Sequence, residues 1–175
     1  MEKRLRIIVC GVGFGQFYIR AIDKIKCKYK LVGILSRGSE WSKQWTKKYG
    51  VILYTDIDEI TKENVDVVCV VIKSTVVNGE GSTIVHSLLE KGINVIQEHP
   101  IDIDDYIMCI KIAQKNCCMY RLNTFYPQLS NVKQFIFLAG KLRKKNDVQY
   151  INAECSVHVL FPLIDILGRA IGGLR

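Results

Sequence analysis

The sequence predicts an α/β protein with a doubly wound parallel sheet of the Rossmann type, followed by the incomplete start of a second domain. Short apolar runs rich in Val and Ile alternate with helical segments, as expected for strands that are buried on both faces of a sheet. The first run leads directly into a glycine-rich turn, and the alternation stops after about residue 124. We therefore assign residues 1–124 to a first domain and residues 125–175 to the incomplete start of a second domain.

The predicted strands of the first domain are its short apolar runs, which are bounded by polar residues and glycines. They are Leu5–Cys10, Leu31–Leu35, Val51–Tyr54, Val65–Ile72, Ile93–Ile96 and Met119–Asn123. Helices are expected between them because apolar residues there recur at one-face spacing. One is expected over Glu40–Tyr49, and another has the face Ile84, Val85, Leu88 and Leu89 before Gly92.

The pattern beyond residue 124 predicts a second, unfinished domain. A helix face is formed by Val132, Phe135, Ile136, Ala139 and Leu142. The strand-like segment Tyr150–Val157 and a helix over Leu160–Ile171 follow. Because the pattern breaks off there, we expect the chain to be truncated at its C-terminus and to expose apolar surface on these last two segments.

Composition and charge narrow the class of protein. No apolar run approaches the roughly 18 residues of a membrane helix, so no membrane partner is expected. The seven cysteines form no C-x-x-C pair, and no metal site is predicted. Cys10, Cys69 and Cys109 fit small buried residues in a reducing, cytoplasmic compartment. The net charge of +8 allows anionic partners, but the basic clusters at residues 24–30 and 141–145 are too short to predict nucleic-acid binding.

The glycine-rich turn Gly11-Val12-Gly13-Phe14-Gly15 follows the first strand and opens a helix. Glycines at 11 and 13 allow a tight turn and let the backbone approach a pyrophosphate, which then lies at the helix N-terminus. The third glycine of the usual G-x-G-x-x-G falls one position early, at Gly15. The context predicts dinucleotide binding by Gly11, Gly13, Phe14 and Gly15, and the alternative is a turn without a ligand.

The second strand ends in Ser36-Arg37-Gly38-Ser39, without the acidic residue that binds the ribose of NAD. A carboxylate would repel a 2′-phosphate, whereas a guanidinium and two hydroxyls can bind it. Ser36, Arg37 and Ser39 therefore favour NADPH as the cofactor. The alternative is that Arg37 is a solvated loop residue and that Ser39 caps the next helix. Ser74 and Glu98 complete the predicted set of cofactor-binding residues.

Two polar strand ends are expected on the same edge of the sheet. Gln97-Glu98-His99-Pro100 follows one strand, and Asn123-Thr124-Phe125-Tyr126-Pro127 follows the next. His99 can exchange a proton near neutral pH, and Tyr126 carries a phenol proton. We therefore predict Tyr126 and His99 as catalytic residues. The alternatives are a histidine bonded to backbone and an aromatic pair that serves packing.

The glycine turn followed by Glu98-His99-Pro100 resembles the Gfo/Idh/MocA oxidoreductase family, in which Glu-Lys-Pro closes this strand. The chain is more closely similar to the thiazolinyl imide reductases of siderophore assembly, of the pyochelin and yersiniabactin type. The similar stretches are residues 10–20, 33–39, 97–100, 123–127 and 163–175. His99 in place of the lysine, and the lack of a later Asp-x-x-x-His pair, agree with this branch. Family members are markedly longer than 175 residues. The resemblance implies that residues 1–124 are a dinucleotide-binding domain and that residues 125–175 are the incomplete start of an α+β substrate and dimerisation domain.

The resemblance implies hydride transfer from NADPH to the C=N carbon of a thiazoline, giving a thiazolidine. The ring would be carried by a nonribosomal peptide synthetase, and the full-length form would be a homodimer. A proton must reach the imine nitrogen, with Tyr126 as the first choice of donor and His99 as the second or as a relay. The alternative is a non-catalytic NADP-binding module, or an inactive fragment of such an oxidoreductase.

Overall fold

The computed structural model describes residues 3–72, 79–145 and 147–173. The chain divides into two compact units, Met1–Asn123 and Thr124–Arg175. The described residues of the first unit form β1 (Leu5–Cys10), β2 (Tyr29–Leu35), β3 (Ile52–Tyr54), β4 (Val67–Val70), β5 (Asn94–Glu98) and β6 (Tyr120–Asn123). All pair in parallel, in the order β3-β2-β1-β4-β5-β6. The predicted Rossmann-type sheet is therefore confirmed.

Helices cover both faces of this sheet, and β1 shows how its residues divide between them. The helices are α1 (Gly15–Lys24), α2 (Glu40–Tyr49), α3 (Glu80–Glu90) and α4 (Ile103–Lys115), with a short 3-10 turn at Ile57–Glu59. Ile7 and Val9 pack with residues of α1 and α2, whereas Ile8 and Cys10 pack with residues of α3 and α4. Successive residues of a strand point to opposite faces, so a strand that is buried on both sides is apolar throughout.

Three cysteines contribute to these apolar clusters as predicted. Cys10, Cys69 and Cys109 are at most 3% exposed. Burial raises the pKa of the Cys10 and Cys69 thiols to about 12 and that of Cys109 to about 11. These thiols therefore stay protonated and behave as small core residues.

The strand β5 extends two residues beyond the apolar run that predicted it. Gln97 pairs with Leu122 and Glu98 pairs with Asn123 in the ladder to β6. Gln97 is fully buried, and its side-chain oxygen accepts a hydrogen bond of 2.7 Å from the Tyr120 hydroxyl. The backbone ladder and hydrogen bonds such as this one allow the strand to carry polar side chains to its end while it is buried.

The second unit is helical where it is regular. Its described residues form α5 (Ser130–Arg143), α6 (Leu160–Ile171) and 3-10 turns at Tyr126–Gln128 and Val157–Val159. Within this unit the Thr124 hydroxyl donates a 2.6 Å bond to Asp165, and Arg169 donates a 2.7 Å bond to the same carboxylate. The helix predicted over Leu160–Ile171 is confirmed.

The strand predicted over Tyr150–Val157 is wrong. Residues 147–156 have no regular secondary structure, and Val157 begins a 3-10 turn. An isolated extended segment cannot satisfy its backbone N–H and C=O groups without a neighbouring strand, and the described residues of this unit provide none. Tyr150 and Val157 are more than 80% exposed. No helix among the described residues is long and apolar enough to cross a membrane.

An ion pair ties the start of β1 to the turn before β4. The Arg6 guanidinium donates to both oxygens of Asp66, at 3.1 and 2.8 Å, and the Arg6 backbone N–H donates at 2.7 Å. These hydrogen bonds lower the pKa of Asp66 from 3.8 to about 2. Since the carboxyl is the stronger acid in the folded state, its charged form stabilises the fold.

We expect Asp66→Asn to lower the free energy of unfolding by roughly 1 kcal/mol near neutral pH, after allowance for the solvent screening of a partly exposed pair. The contribution of the Asp66 charge is complete above its ordinary pKa of 3.8 and is lost as the pH falls through about 2. Urea unfolding should therefore show that the difference in unfolding free energy between the unaltered protein and Asp66→Asn is smaller at about pH 3 than at about pH 7. The control is Asp23→Asn, which breaks an exposed pair with Lys26. An equal loss of unfolding free energy in Asp66→Asn and Asp23→Asn would contradict the stabilising role assigned to the Asp66 charge. An effect of Asp66→Asn that does not change with pH would contradict it as well.

Candidate dinucleotide and proton-transfer site

The loop between β1 and α1 brings the backbone close to the neighbouring strand. Gly11 has a φ of +89°, and a Cβ there would lie 3.1 Å from the Val71 carbonyl oxygen. A Cβ on Gly15 would lie 3.0 Å from a Val9 methyl. Gly13 differs from both, because a Cβ there would meet no atom within 4 Å. The fold itself therefore requires no glycine at 13, and the space beside it is open.

This open position lies directly before the N-terminus of α1. The first turn of α1 contains no acidic residue, and its free N–H groups give that end of the helix a partial positive charge. Phe14 occupies the N-cap position, is 46% exposed, and its ring lies 5.0 Å from that of Phe17. The backbone at Gly13, which no side chain covers, and the N-terminus of α1 together fit a pyrophosphate group that lies beside Gly13.

The loop after β2 contains the three residues predicted to bind a 2′-phosphate. The Ser36 hydroxyl accepts a 3.2 Å bond from the Gly38 N–H. Ser39 caps α2, its hydroxyl accepting a 3.2 Å bond from the Ser42 N–H, as the alternative interpretation expected. The Arg37 side chain is 81% exposed and forms an ion pair with Glu80 at the start of α3.

Glu80 was not among the residues singled out from the sequence. It lies 43 residues beyond Arg37, so no local pattern connects the two. The hydrogen bond to Glu80 raises the pKa of Arg37, which therefore carries its charge at every relevant pH. Ser74, another predicted cofactor-binding residue, lies outside the described residues.

At the ends of β5 and β6 a small polar cluster surrounds the buried Glu98 side chain. The Tyr18 hydroxyl donates a hydrogen bond to Glu98 Oε2, and Asn123 Nδ2 donates to the Tyr18 oxygen and, at 3.2 Å, to Glu98 Oε2. Glu98 Oε1 lies 3.4 Å from Nε2 of His99. The side chains of Glu98 and His99 are only 10% and 13% exposed. The structure thus brings two predicted residues, Glu98 and His99, into contact.

Tyr18 is the second residue that the sequence analysis missed. It lies on α1, between core residues of that helix, and packs against the apolar cluster formed with β1. The only sequence signal is a polar aromatic residue at an inward helical position, a position that a tyrosine often fills for packing alone. Its partners Glu98 and Asn123 are 80 and 105 residues away.

Tyr126 belongs to the second unit, where it begins the 3-10 turn before α5. It is 39% exposed, and its ring meets that of Phe125 edge-on at 5.7 Å. The hydroxyl is therefore on an accessible aromatic side chain, beside the packing partner that the alternative interpretation expected.

The described residues of the first unit can thus bind an anion and position a proton. A glycine loop and helix end offer backbone donors, and the loop after β2 offers a cation. At the same carboxyl edge, the end of β5 offers an imidazole in contact with a carboxylate. Open α/β sheets bind their ligands at this edge, where the strand order reverses. Here the reversal lies between β1 and β4.

Solved structures show the same fold at low sequence identity. GenD2 from gentamicin A biosynthesis, in complex with NAD, superimposes with a TM-score of 0.72 at 18% identity, over 82% of this chain and 41% of that one. The WlbA dehydrogenase from Bordetella pertussis, in complex with NADH and UDP-GlcNAcA, superimposes with a TM-score of 0.69 at 16% identity, over 81% of this chain and 41% of that one. Apo scyllo-inositol dehydrogenase from Lactobacillus casei superimposes with a TM-score of 0.74 at 19% identity, over 97% of this chain and 55% of that one.

The chain spans about two fifths to just over half of the length of these proteins. A comparison with curated proteins found no match. Residues 5–124, more than two thirds of the chain, match the family model described as "Oxidoreductase family, NAD-binding Rossmann fold". The sheet order, the glycine loop and this match agree, and the chain belongs to the Gfo/Idh/MocA oxidoreductase family.

Proposed function

We propose that the protein takes part in the NADPH-dependent reduction of a thiazoline C=N bond to a thiazolidine, on a ring tethered to a nonribosomal peptide synthetase. The observation that carries the proposal is the polar end of β5, where His99 stands in place of the lysine of the family's Glu-Lys-Pro motif. The proposal also rests on the resemblance of residues 97–100 and 123–127 to thiazolinyl imide reductases.

The end of β2 supports NADPH over NADH. Ser36 and Arg37 stand where an acidic residue would bind an unmodified ribose. Arg37 is engaged by Glu80, but both side chains are exposed, at 81% and 63%. An ion pair in water is weak, so a 2′-phosphate can replace the Glu80 carboxylate as the partner of Arg37.

The residues of the glycine loop would hold the cofactor's pyrophosphate, with Gly11 shaping the turn and Gly13 leaving the backbone bare. Bound NADPH supplies the hydride that reduces the carbon of the C=N bond. This chain must then provide a proton at the imine nitrogen, because an amide-like anion is too basic to form unprotonated. Tyr126 is our first candidate for this donor, and His99, in contact with Glu98, is the second donor or a relay.

Gly13→Ala should leave the fold intact and weaken binding of NADPH and NADH alike, by roughly tenfold or more, because the methyl group occupies the approach to the loop. Binding is followed by energy transfer from Trp41 and Trp45, and folding by circular dichroism. Gly140→Ala is the matched control, since a Cβ there also meets no atom within 4 Å. Unchanged binding by Gly13→Ala would place the pyrophosphate elsewhere.

Arg37→Asp should weaken NADPH binding by roughly 10- to 100-fold and shift the preference toward NADH, since it removes a charge-assisted contact and adds a repulsive carboxylate. The titration is done at about 0.15 M salt, where distant charges are screened. The control is Arg4→Asp, which makes the same change of charge just before β1, at the opposite edge of the sheet. An unchanged preference in Arg37→Asp would mean that the 2′-phosphate lies elsewhere.

In the full-length form, Tyr126→Phe should reduce turnover of a thiazolinyl thioester by roughly 100-fold or more while sparing NADPH affinity, because only the phenol proton is lost. Tyr150→Phe serves as the control, since Tyr150 is 81% exposed and has no proposed role. Full activity of Tyr126→Phe would move the donor role to His99 or to water. NADPH binding without any turnover by the unaltered protein would favour the alternative, a non-catalytic binding module or an inactive fragment of such an oxidoreductase.

A further inference from the structure

In the polar cluster around Glu98, the chemistry of each side chain determines which group donates and which group accepts each hydrogen bond. A buried carboxylate is stable only when its oxygens are hydrogen-bonded. Burial and the adjacent Glu98 raise the pKa of Tyr18, so its hydroxyl keeps its proton. Tyr18 is therefore a permanent donor to Glu98 Oε2, and the Asn123 amide, which donates to both residues, fixes the rotation of that hydroxyl.

These bonds act on one oxygen of Glu98 and leave the other directed at His99. Both Tyr18 and Asn123 reach Oε2, whereas Oε1 lies 3.4 Å from His99 Nε2. The His99 backbone N–H is held separately, donating a 3.2 Å bond to the Asn123 carbonyl. The backbone of His99 is thus fixed by β6 and its ring faces a hydrogen-bonded carboxylate, an arrangement that favours the tautomer in which Nε2 carries the hydrogen.

We propose that Tyr18 is a positioning residue, which orients the Glu98 carboxylate and through it fixes the tautomer and ring orientation of His99. The Tyr18 hydroxyl contacts the Glu98 carboxylate, and this carboxylate contacts the His99 imidazole. Tyr18 lies on α1, and Glu98 and His99 lie at the end of β5. The use of His99 in proton transfer rests on the proposed function, but the arrangement itself does not.

Packing alone does not require this hydroxyl. The Tyr18 ring contacts the same apolar cluster as Ile19 and Ile22 on its own helix, and phenylalanine would fill that space equally well. The hydroxyl instead connects α1, which begins in the glycine loop, with the polar end of β5. The same helix therefore presents its N-terminus to the predicted pyrophosphate position and its Tyr18 hydroxyl to the predicted proton-transfer residues.

The test is a nitrogen NMR spectrum of the histidine-labelled protein without cofactor or substrate. The His99 signals are assigned by their loss in His99→Gln. In Tyr18→Phe, we expect the two ring nitrogens of His99 to lose the chemical-shift pattern of a single tautomer, while circular dichroism and thermal unfolding show a folded protein. A low-field proton signal from the Tyr18 hydroxyl should disappear in the same variant.

Two further variants separate positioning from a structural effect. Tyr29→Phe is the matched control, since Tyr29 packs against the same apolar cluster but lies outside the hydrogen-bonded group, and its His99 signals should equal those of the unaltered protein. Once Glu98→Gln has replaced the carboxylate, adding Tyr18→Phe should produce no further change at His99. The proposal is overturned if Tyr18→Phe leaves the His99 signals unchanged, or if its effect persists in full beside Glu98→Gln.

If Tyr18→Phe does not fold, Asn123→Ala replaces it, because this variant removes the amide that donates to both Tyr18 and Glu98. It should shift the His99 signals in the same direction, and unchanged signals would overturn the proposal. These readouts need no catalysis. A protein that shows the expected signals but reduces no thiazoline would retain the positioning role of Tyr18 and lose the proposed function.

Discussion

The parallel pairing of β1 with both β2 and β4 is the constraint on which the rest of the first unit depends. Because all strands run in one direction, their carboxyl ends meet at one edge, and every loop that follows a strand opens there. The connection after β1 leads to one side of the sheet, and β4 starts the other side. The glycine loop, Arg37 and His99, far apart along the chain, therefore share one edge although none of them requires the others in order to fold.

The buried end of β5 is a second constraint, imposed by charge. A strand that finishes in Gln97 and Glu98 can be buried only if other elements supply donors, and Tyr120, Tyr18 and Asn123 do so. Two of these donors come from β6 and one from α1. The carboxylate thus couples the packing of a helix to the placement of two strands. Loss of a donor would weaken the hydrogen bonding of a buried polar group, a cost that an apolar strand end would not carry.

The sequence predicted those features that local pattern determines. Strands buried on both faces were recognisable as apolar runs, and Ser39 marked the start of α2. The hydrogen bond that buries the Gln97 side chain could not be predicted, because its donor, Tyr120, lies 23 residues away. Tyr18 and Glu80 were missed for the same reason, since their significance lies in contacts over 80 and 43 residues. The erroneous strand over Tyr150–Val157 shows the converse. A segment with a strand-like pattern forms a strand only where a partner strand is available to pair with it.

The two polar groups at the carboxyl edge differ in a way that matches their proposed roles. The Arg37–Glu80 pair is exposed to water, so a phosphate can replace one partner at small cost. The Glu98 carboxylate is buried and accepts hydrogen bonds from the partly buried Tyr18 and Asn123, and removing these donors would leave a buried charge with fewer hydrogen bonds. A group that binds and releases a cofactor must be exchangeable, whereas a group that directs a proton must keep its geometry between turnovers. Burial, more than residue type, therefore distinguishes the end of the site proposed to bind the cofactor from the end proposed to transfer protons.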